Sequence, residues 1–547
     1  MTDVTTSAGD YRGLPDDGGA AHNQKKIFFA SFMTLVAAGM GFSIAGGVLG
    51  DVGAQFGFTK SDLGAITGGG LAGFGLTIIF FSFFADRVGY KPLLVGAFCL
   101  HLLSVIIRLS ATAIFASAGK GAAYNCLYWG AFVFSLGNGL CEAAINPLTA
   151  TLFPRNKTHY LNILHAGWPL GLVIGGLINF LFAGNTAKIT HVRWEILLAL
   201  YALPTLYYGF VVITSRFPIS EAKAAGLTVG QMVSHVFAPL LLFLFLIHAM
   251  IGYVELGTDG WIQNILNPII QSSAFLLFVY TSLLMFVLRF FAGPIVHKIN
   301  PLGLLFISAI FGAVGLYWLG TVSTVAVAFA AATVFALGKT FYWPTMLGVI
   351  GERFPKAGAI AMGLSGGIGM LSAGFLGGPG IGYTQDRQAT QQLEGVSNDA
   401  YARYKAEQKN HFLFFRPIQG LDQSKVAVLA DNGKTLAEDV AFAQKVGKDD
   451  PNLKSLQAWW DNDAKQHAQA DHDPVIAANI NGGRKALQIT AAIPATMAAC
   501  YLLLVFYFMA KGGYKAVHLD ASGREVEVTH EATPGEAMTG GVPGPVR

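Results

Sequence analysis

Charged residues are scarce in this chain. They make up 12% of its 547 residues, about half the share that soluble globular domains carry, whereas hydrophobic residues make up 53%. The formal net charge is only +4 and is scattered along the sequence, so no basic surface for nucleic acid is indicated. This balance excludes an ordinary soluble domain and is typical of a protein that crosses a membrane many times.

Cysteine is also rare, and the four residues present lie in apolar stretches without Cys-x-x-Cys spacing: Cys99, Cys126, Cys141 and Cys500. They predict small buried side chains, not a disulfide framework or a metal centre. The glycine-rich segments 366–369 and 377–380 follow no strand, so they are not phosphate-binding loops and direct ATP drive is not indicated. His467 and His472 match no metal motif, and we expect no metal, no cofactor and no enzymatic activity.

A cleavable signal peptide is not recognisable, because residues 1–24 are polar and contain no apolar core. The sequence contains instead many runs that reach the ~20 apolar residues of a membrane span, and the first would serve as an uncleaved targeting signal. Twelve such runs are predicted, at 27–50, 62–84, 93–115, 124–151, 160–183, 194–214, 236–266, 272–296, 302–321, 324–350, 358–383 and 487–509.

A polar connector at 217–235 divides these runs six and six. We therefore predict an all-α membrane protein with two six-helix bundles, at 26–216 and 236–510. Tails at 1–25 and 511–547 flank the bundles, and the glycine-, proline- and glutamate-rich second tail is predicted to be disordered.

The second bundle is interrupted at 385–485 by a polar, charged insertion that contains no span. Because it falls between the eleventh and twelfth runs, parity places it outside the cytoplasm. Helix-like patches at 434–448 and 453–460 and the aromatic cluster at 412–415 are compatible with a small folded cap. A partly ordered loop is the alternative.

The two halves resemble each other. A Phe-Phe-Ala sequence ends the second run at 83–85 and recurs near the end of the eighth at 290–292. A proline near the end of the fourth run, Pro147, has its counterpart Pro344 in the tenth. Repeats about 200 residues apart indicate a duplicated transporter, in which the solute site lies where the halves meet.

Positive residues in short loops indicate the orientation. With the N-terminus inside, the inner loops contain most of them: Arg87, Lys91, Arg155, Lys157, Arg216, Lys223, Lys298, Arg353 and Lys356. The short outer loops contain few: Lys60, Lys120, Lys188 and Arg193. Both termini are therefore predicted to be cytoplasmic, in the inner (plasma) membrane.

Polar residues within the fourth and fifth runs mark the first candidate site. Glu142 and Asn146 lie four residues apart and share a helix face. Asn162 and His165 share a face of the fifth run, and Trp168 lies nearby. Ionisable groups in such runs usually line a water-filled path or pair with each other. We expect Glu142 to exchange protons and the other four to contact solute.

The seventh run carries a polar stripe with 4-, 3- and 4-residue spacing: His248, Gly252, Glu255 and Asp259. Trp261 and Gln263 follow it. We expect Glu255 to take part in proton coupling and His248, Trp261 and Gln263 to contact solute; Asp259 facing water at the outer end is an equal alternative.

Lys339, in the middle of the tenth run, needs a carboxylate partner, and Glu255 or Glu142 is expected to supply it. Alternatively Lys339 binds an anionic solute. Trp343 follows on the same helix and offers an aromatic face to a sugar. Arg108 and Arg289 lie toward the ends of their runs and are expected to extend to the membrane surface.

The first inner corner reads Phe84-Ala-Asp-Arg-Val-Gly-Tyr-Lys-Pro92. It resembles the loop signature of the major facilitator superfamily, which implies that family's fold for the two bundles. Asp86 can accept hydrogen bonds from a neighbouring helix N-terminus or from Arg87, and Gly89 permits a tight turn. These three residues are the expected conformational lock.

The segments 140–147, 160–162 and 253–262 resemble the fucose–hexose–proton symporter family. The resemblance implies proton coupling at Glu142 and sugar binding at Asn162. One departure is the neutral segment 41–46, where the fucose permease has a second carboxylate.

We therefore predict a monomeric secondary transporter for a sugar or similar small polyhydroxylated solute, coupled to protons and embedded in a lipid bilayer. An organic-anion transporter that binds its solute through Lys339 and Arg289 is one alternative. A transporter-like receptor, in which the insertion senses a ligand, is another.

Overall fold

The computed structural model describes residues 20–58, 63–66, 70–184, 187–271, 273–445, 450–519 and 523–528. Within them the architecture is helical, with a single two-stranded sheet close to the C-terminal end. Residues 1–19 and 529–547 of the predicted tails, and Lys60 of the predicted outer loops, lie outside the described residues.

The first half consists of helices that run back and forth and end in a short connector. They are α1 (Ala20–Gly47), α2 (Leu49–Phe56), α3 (Gly70–Val88), α4 (Tyr90–Leu152), α5 (Lys157–His165), α6 (Gly167–Phe182), α7 (Trp194–Ala199) and α8 (Ala202–Thr214). Residues 63–66 are also helical. The connector contains α9 (Glu221–Ala224) and α10 (Val229–Val236), and a capping box formed by Thr228 and Gln231 begins α10.

The second half repeats this pattern. Its helices are α11 (Pro239–Gly252), α12 (Thr258–Ile270), α13 (Ser273–Arg289), α14 (Ala292–Leu319), α15 (Val325–Lys339), α16 (Tyr342–Arg353), α17 (Gly358–Ser372) and α18 (Gly378–Val396). Single π-helical turns at Tyr253–Gly257 and Ala373–Gly377 join α11 to α12 and α17 to α18, and a 3₁₀ turn spans Pro355–Ala357.

The remaining elements follow α18. They are α19 (Asn398–Tyr404), α20 (Gln423–Ala430), α21 (Lys434–Lys445), α22 (Pro451–Trp459), a π turn (Trp460–Ala464), a 3₁₀ turn (Lys465–His467), α23 (Ala468–Thr490), α24 (Ala492–Ala510), β1 (Ala516–Leu519) and β2 (Glu525–Val528).

Nine helical stretches in the described part of the chain are long and apolar enough to cross a membrane. The 63-residue stretch Tyr90–Leu152 contains a break at Gly119, where φ is 78°, and this break separates two of the predicted runs. Asn300, with φ of 56°, similarly breaks α14 near its start. The π turns are local widenings that are frequent at functional sites.

The insertion forms a folded cap, defined here as residues 385–485, and not a loose loop. Its helices enclose a hydrophobic core of their own that includes Leu393, Tyr404, Trp460 and Val475, each at most 5% exposed. The predicted limits cut through α18 and α23, because both helices continue from the apolar region into the cap without a break. The polar composition of these extensions hid their helical continuity.

The Arg403–Asp471 pair ties the cap together. Arg403 Nε and Nη2 each donate to an Asp471 carboxylate oxygen at 2.7 Å, and the Asp471 side chain is 4% exposed. The two hydrogen bonds together form a bidentate, charge-assisted pair, which is stronger than hydrogen bonds between neutral groups.

Asp471→Asn is expected to loosen the cap by about 2–3 kcal/mol, because Arg403 loses its counter-charge in a largely buried position. Cap cleavage by trypsin should accelerate at least tenfold, as followed by mass spectrometry. Asp473→Asn is the matched control: the Asp473 side chain is 96% exposed. Equal cleavage rates for the two variants would contradict the assigned role.

Both ends of the described chain lie on one face of the molecule, here called the terminal side. Asn23 donates to the Arg216 carbonyl oxygen at 2.8 Å, and Gln24 donates to the Leu152 carbonyl oxygen. Strands β1 and β2 pair antiparallel, with Val517 opposite Glu527, and lie on the same face. The prediction that the chain is disordered after residue 510 is therefore wrong for the residues of this hairpin.

The two halves pack directly against each other. The largest hydrophobic cluster contains residues of both, including Leu161 of α5 and Met346 of α16. At the contact between α3 of the first half and α17 of the second, a β-carbon on Gly367 would lie 2.3 Å from Ile79 Cγ1 and 3.0 Å from the Gly75 carbonyl oxygen. Only glycine permits this approach, as is common where helices associate without a hydrophobic drive.

Candidate functional site

Three side chains of the first half form a hydrogen-bonded chain at the interface. Asn146 Nδ2 donates to Glu142 Oε2 at 2.6 Å, as their four-residue spacing on α4 predicts. Asn146 Oδ1 lies 2.9 Å from His165 Nε2. Because the amide nitrogen donates to Glu142, its oxygen must accept, so His165 carries its hydrogen on Nε2. All three residues are buried.

Arg289, the last residue of α13, connects this chain to the second half. Its Nη1 donates to the His165 carbonyl oxygen at 2.5 Å, and its Nη2 donates to Glu255 Oε1 at 3.1 Å. Its Nε donates to the Thr340 carbonyl oxygen at 2.9 Å. Glu255 Oε2 in turn accepts from the Trp343 backbone N–H at 3.3 Å. Glu142, Asn146, His165, Arg289 and Glu255 are called the central network below.

The expectation that Arg289 and Arg108 reach the membrane surface is wrong. Arg289 is 2% exposed, because α13 ends inside the bundle, where two carbonyl oxygens and a carboxylate accept its hydrogens. Arg108 is 6% exposed and lies over the Phe134 ring at 5.5 Å. Lys298, nine residues after Arg289, belongs to the predicted inner loop. This spacing could have indicated that Arg289 lies deeper than the membrane surface.

Lys339 is paired, but with neither of the expected carboxylates. Its Nζ lies 2.5 Å from Asp259 Oδ1. Asp259 follows Glu255 by about one helical turn, so both face the second half's interior. Since Arg289 already binds Glu255, Asp259 is the carboxylate left for Lys339. The pair, with Gln263, borders a cavity of about 20 Å³, room for roughly one water molecule.

His248 lies fully buried beside the central network. Its ring makes an edge contact with Trp343, with centroids 4.7 Å apart. Neither ring nitrogen has a hydrogen-bond partner among the described residues. An unpaired buried polar group costs free energy, which distinguishes His248 from the hydrogen-bonded residues of the central network.

The remaining predicted solute residues lie at different distances from this centre. Trp168 is half-buried and contacts the Phe42 ring, at a centroid distance of 5.8 Å. Trp261 Nε1 donates to the Gly378 carbonyl oxygen at 3.0 Å, which ties α12 to α18. Gln263 is exposed. The central network thus unites only part of the predicted set.

Asn162 belongs to the contact between α5 and α16, on the terminal side of the central network. Its Nδ2 donates to the Thr158 carbonyl oxygen at 2.9 Å and across the halves to Thr345 Oγ1 at 3.1 Å. One turn further out, Thr158 Oγ1 donates to Glu352 Oε1 at 2.6 Å. Neither Thr345 nor Glu352 was singled out from the sequence, because hydroxyls and end-of-run carboxylates are common.

A second carboxylate, that of Glu221, lies on the same terminal side of the molecule. Lys157 Nζ lies 3.2 Å from Glu221 Oε2 of the connector, and it also donates to the Gly351 carbonyl oxygen at 3.2 Å. Burial raises the pKa of Glu221, but Lys157 together with the neighbouring His518 ring outweighs burial and holds the pKa of Glu221 below its usual value. The ion pair therefore persists at neutral pH.

The predicted lock residues lie where α3 meets α17. Asp86 Oδ2 accepts from the Ala359 backbone N–H at 2.9 Å, at the N-terminus of α17. Gly89 has φ of 93°, the conformation expected of a tight turn. Arg87 is exposed, and its carbonyl oxygen accepts from Lys223 Nζ at 3.1 Å. Asp86 thus contacts the helix, the first of the two partners considered.

Residues 31–378 match the family model of the Major Facilitator Superfamily. None of the curated proteins matches the chain.

Several solved structures share the fold. A proton:xylose symporter, XylE, is 15% identical with a TM-score of 0.57, covering 69% of this chain and 92% of its own. A transporter in the outward conformation, FucP, is 15% identical with a TM-score of 0.55, covering 66% and 92%. A bacterial homolog of the human lysosomal transporter Spinster is 14% identical with a TM-score of 0.52, covering 91% and 99%. At these identities the similarity establishes the fold.

Proposed function

The chain belongs to the major facilitator superfamily, and on that premise we propose that it moves a sugar or related small polyhydroxylated solute by alternating access, in symport with protons. The superfamily resemblance stated from the sequence is confirmed, and the chain is a multi-pass membrane transporter and not an enzyme. The specific solute class and the proton are our inference.

The charge balance of the interface carries the proposal. Arg289 is neutralised by Glu255, and Lys339 by Asp259. Within the described residues no cation lies at ion-pair distance from Glu142, whose partner is the neutral amide of Asn146. A buried carboxyl group without a counter-charge is the kind of group that binds and releases a proton.

Protonation of Glu142 would be communicated across the interface. When Glu142 is charged, it attracts the Arg289 guanidinium and so strengthens the hold of one half on the other. When it is protonated, Arg289 is balanced by Glu255 alone and this hold weakens. Proton binding therefore favours separation of the halves, which gives solute and proton access to the same path.

The groups around the central network suit a neutral, hydroxyl-bearing solute. Asn162 Oδ1 and both His248 nitrogens are buried without hydrogen-bond partners in the described structure. Trp343 offers the aromatic face on which the C–H groups of a sugar stack. The names of two fold relatives, a proton:xylose symporter and a fucose:proton symporter, support the same solute class.

The organic-anion alternative needs a cation free to bind the anion, and both cations named for that role have carboxylate partners. The receptor alternative gives no reason for the paired charges and the unpaired Glu142 at the interface between the halves. We also infer twelve spans, an extracytoplasmic cap, a monomer and a cytoplasmic terminal side in the inner membrane; the positively charged terminal-side loops support this orientation.

Glu142→Gln is expected to abolish uphill uptake and to spare exchange. A thermal-shift screen of neutral sugars, polyols and sugar acids first identifies a solute, which is then radiolabelled for proteoliposomes. With one proton per solute, a gradient of one pH unit is worth 1.36 kcal/mol and supports about tenfold accumulation. In the variant the internal concentration should only equal the external one, because glutamine cannot carry a proton, while counterflow continues.

Glu195→Gln is the matched control, because Glu195 lies outside the central network, in an ion pair with Arg193. It should accumulate solute as the unmodified protein does. Accumulation by Glu142→Gln at the unmodified level would disprove proton coupling at this residue. Stabilisation only by sugar acids, with uptake lost in Lys339→Ala, would favour the organic-anion alternative.

A further inference from the structure

The segment after the last helix folds back across the terminal side of the molecule. Residues 514–519 and 523–528, here called the strap, contain β1 and β2. We propose that the strap is a built-in brake that holds the terminal side of the solute pathway closed. This inference rests on the proposed alternating-access function and concerns its regulation.

The first contact of the strap is with the carboxylate of Glu352 at the end of α16. Tyr514 Oη donates to Glu352 Oε2 at 2.8 Å. The other oxygen, Oε1, accepts from Thr158 Oγ1 of the first half at 2.6 Å. Tyr514 therefore orients a carboxylate whose opposite oxygen joins the two halves.

The second contact of the strap, on the connector, is a close approach without a hydrogen bond, because His518 Nδ1 has no hydrogen-bond partner among the described residues. Glu221 Oε1 lies 4.0 Å from His518 Nδ1 in β1, and His518 is 4% exposed. The opposite oxygen of Glu221 pairs with Lys157 of the first half at 3.2 Å. Buried Glu352 and partly buried Glu221 thus each use one carboxylate oxygen for α5, while the other oxygen faces the strap.

Further contacts hold the strap to the second half. Arg353 Nη1 donates to the Lys515 carbonyl oxygen at 2.6 Å. Lys356 lies 3.9 Å from Glu525 of β2 at the surface. The strap thus spans from the α16–α17 turn to the connector, beside the line along which the halves must part.

The physical consequence is a shift in population. Opening of the terminal side separates Thr158 from Glu352 and Lys157 from the Gly351 carbonyl oxygen. With the strap in place, the hydrogen bond from Tyr514 holds Glu352 in the orientation that favours the closed state, and His518 lies beside Glu221. Release of the strap removes that restraint, so the open state becomes more populated.

Pulsed electron spin resonance on the full chain tests the brake without any solute. Arg155 and Lys298 are exposed on opposite halves of the terminal side. Both are replaced by cysteine and spin-labelled in lipid nanodiscs, after replacement of the four native cysteines. Tyr514→Phe removes a hydrogen bond to a carboxylate, and the ratio of open to closed distances should rise about tenfold.

Tyr514→Phe combined with His518→Ala should raise the ratio further, as should a chain ended after Gly513. Lys515→Ala is the control, because Arg353 binds its carbonyl oxygen and its side chain reaches only exposed Glu527. A chain ended after Val528 keeps the strap and is a second control. Both controls should give the same distance distribution as the unmodified protein.

A Tyr514→Phe/His518→Ala distribution that superimposes on the unmodified one would overturn the brake. The distances do not depend on uptake, so failure of the proposed function leaves this test intact. Absence of uptake in every form, together with a longer distance in the double variant, would refute the transport proposal and retain the brake.

Discussion

Replacement of Arg289 by methionine is expected to destabilise the protein by about 3–5 kcal/mol and to abolish transport. The Glu255 side chain is 7% exposed, and loss of the guanidinium leaves its charge buried without a counter-charge. The His165 and Thr340 carbonyl oxygens lose their donors as well. Thermal unfolding of the detergent-purified protein, followed by size-exclusion chromatography, measures the loss.

Two further variants separate the causes. Arg289→Met with Glu255→Gln leaves neither charge unpaired, so most of the stability should return while transport stays lost. Arg193→Met removes an arginine that is 69% exposed, and its pair with Glu195 should be worth at most about 1 kcal/mol. A midpoint for Arg289→Met equal to that of Arg193→Met would show that Arg289 is not the cross-half tie described here.

Gly348→Ala is expected to keep the terminal side open and to reduce uptake strongly. A β-carbon at Gly348 would lie 2.3 Å from Thr158 Oγ1 and 2.8 Å from Thr158 Cα, so α5 and α16 could not reach their observed separation. Such overpacking costs about 1–3 kcal/mol, which lowers the ratio of closed to open molecules by about 5- to 150-fold. The closed state is one of the two that alternating access requires, so uptake should fall once the closed state becomes the minor one.

Gly351→Ala provides a matched control on the same helix, because its nearest neighbour, Met362 Sδ, would lie at an ordinary 3.5 Å. Its uptake and its Arg155–Lys298 distance should match the unmodified protein. For Gly348→Ala the distance should lengthen while the helical circular dichroism stays unchanged. Normal uptake by Gly348→Ala would mean that transport does not require this contact between α5 and α16.

The contacts of the central network explain which site predictions were possible. Glu142 and Asn146 lie four residues apart on one helix, and this spacing alone brings their side chains together. Arg289 binds Glu255, 34 residues away, and the His165 carbonyl oxygen, 124 residues away. Those distances along the chain carry no information about which helices meet, or at what depth.

The partner of Lys339 illustrates the limit of prediction from the sequence. The sequence indicated correctly that a cation in an apolar run needs a carboxylate, because an isolated charge is too costly there. It offered Glu255 or Glu142, and the structure has Asp259, 80 residues away. Arg289 is buried because α13 ends inside the bundle, and it pairs with Glu255. Lys339 therefore pairs with Asp259 instead.

The amino-acid sequence by itself determined the membrane class, the helical runs, the duplicated halves and the positions of the costly polar groups. Each depends on composition or on spacing within one helix, where geometry is regular. Tertiary structure alone decided the ion-pair partners, the folded cap and the contact of the strap with Glu352 and Glu221. These depend on helix crossings and depths, which arise only when the whole chain packs and buried charges compete for the nearest partners.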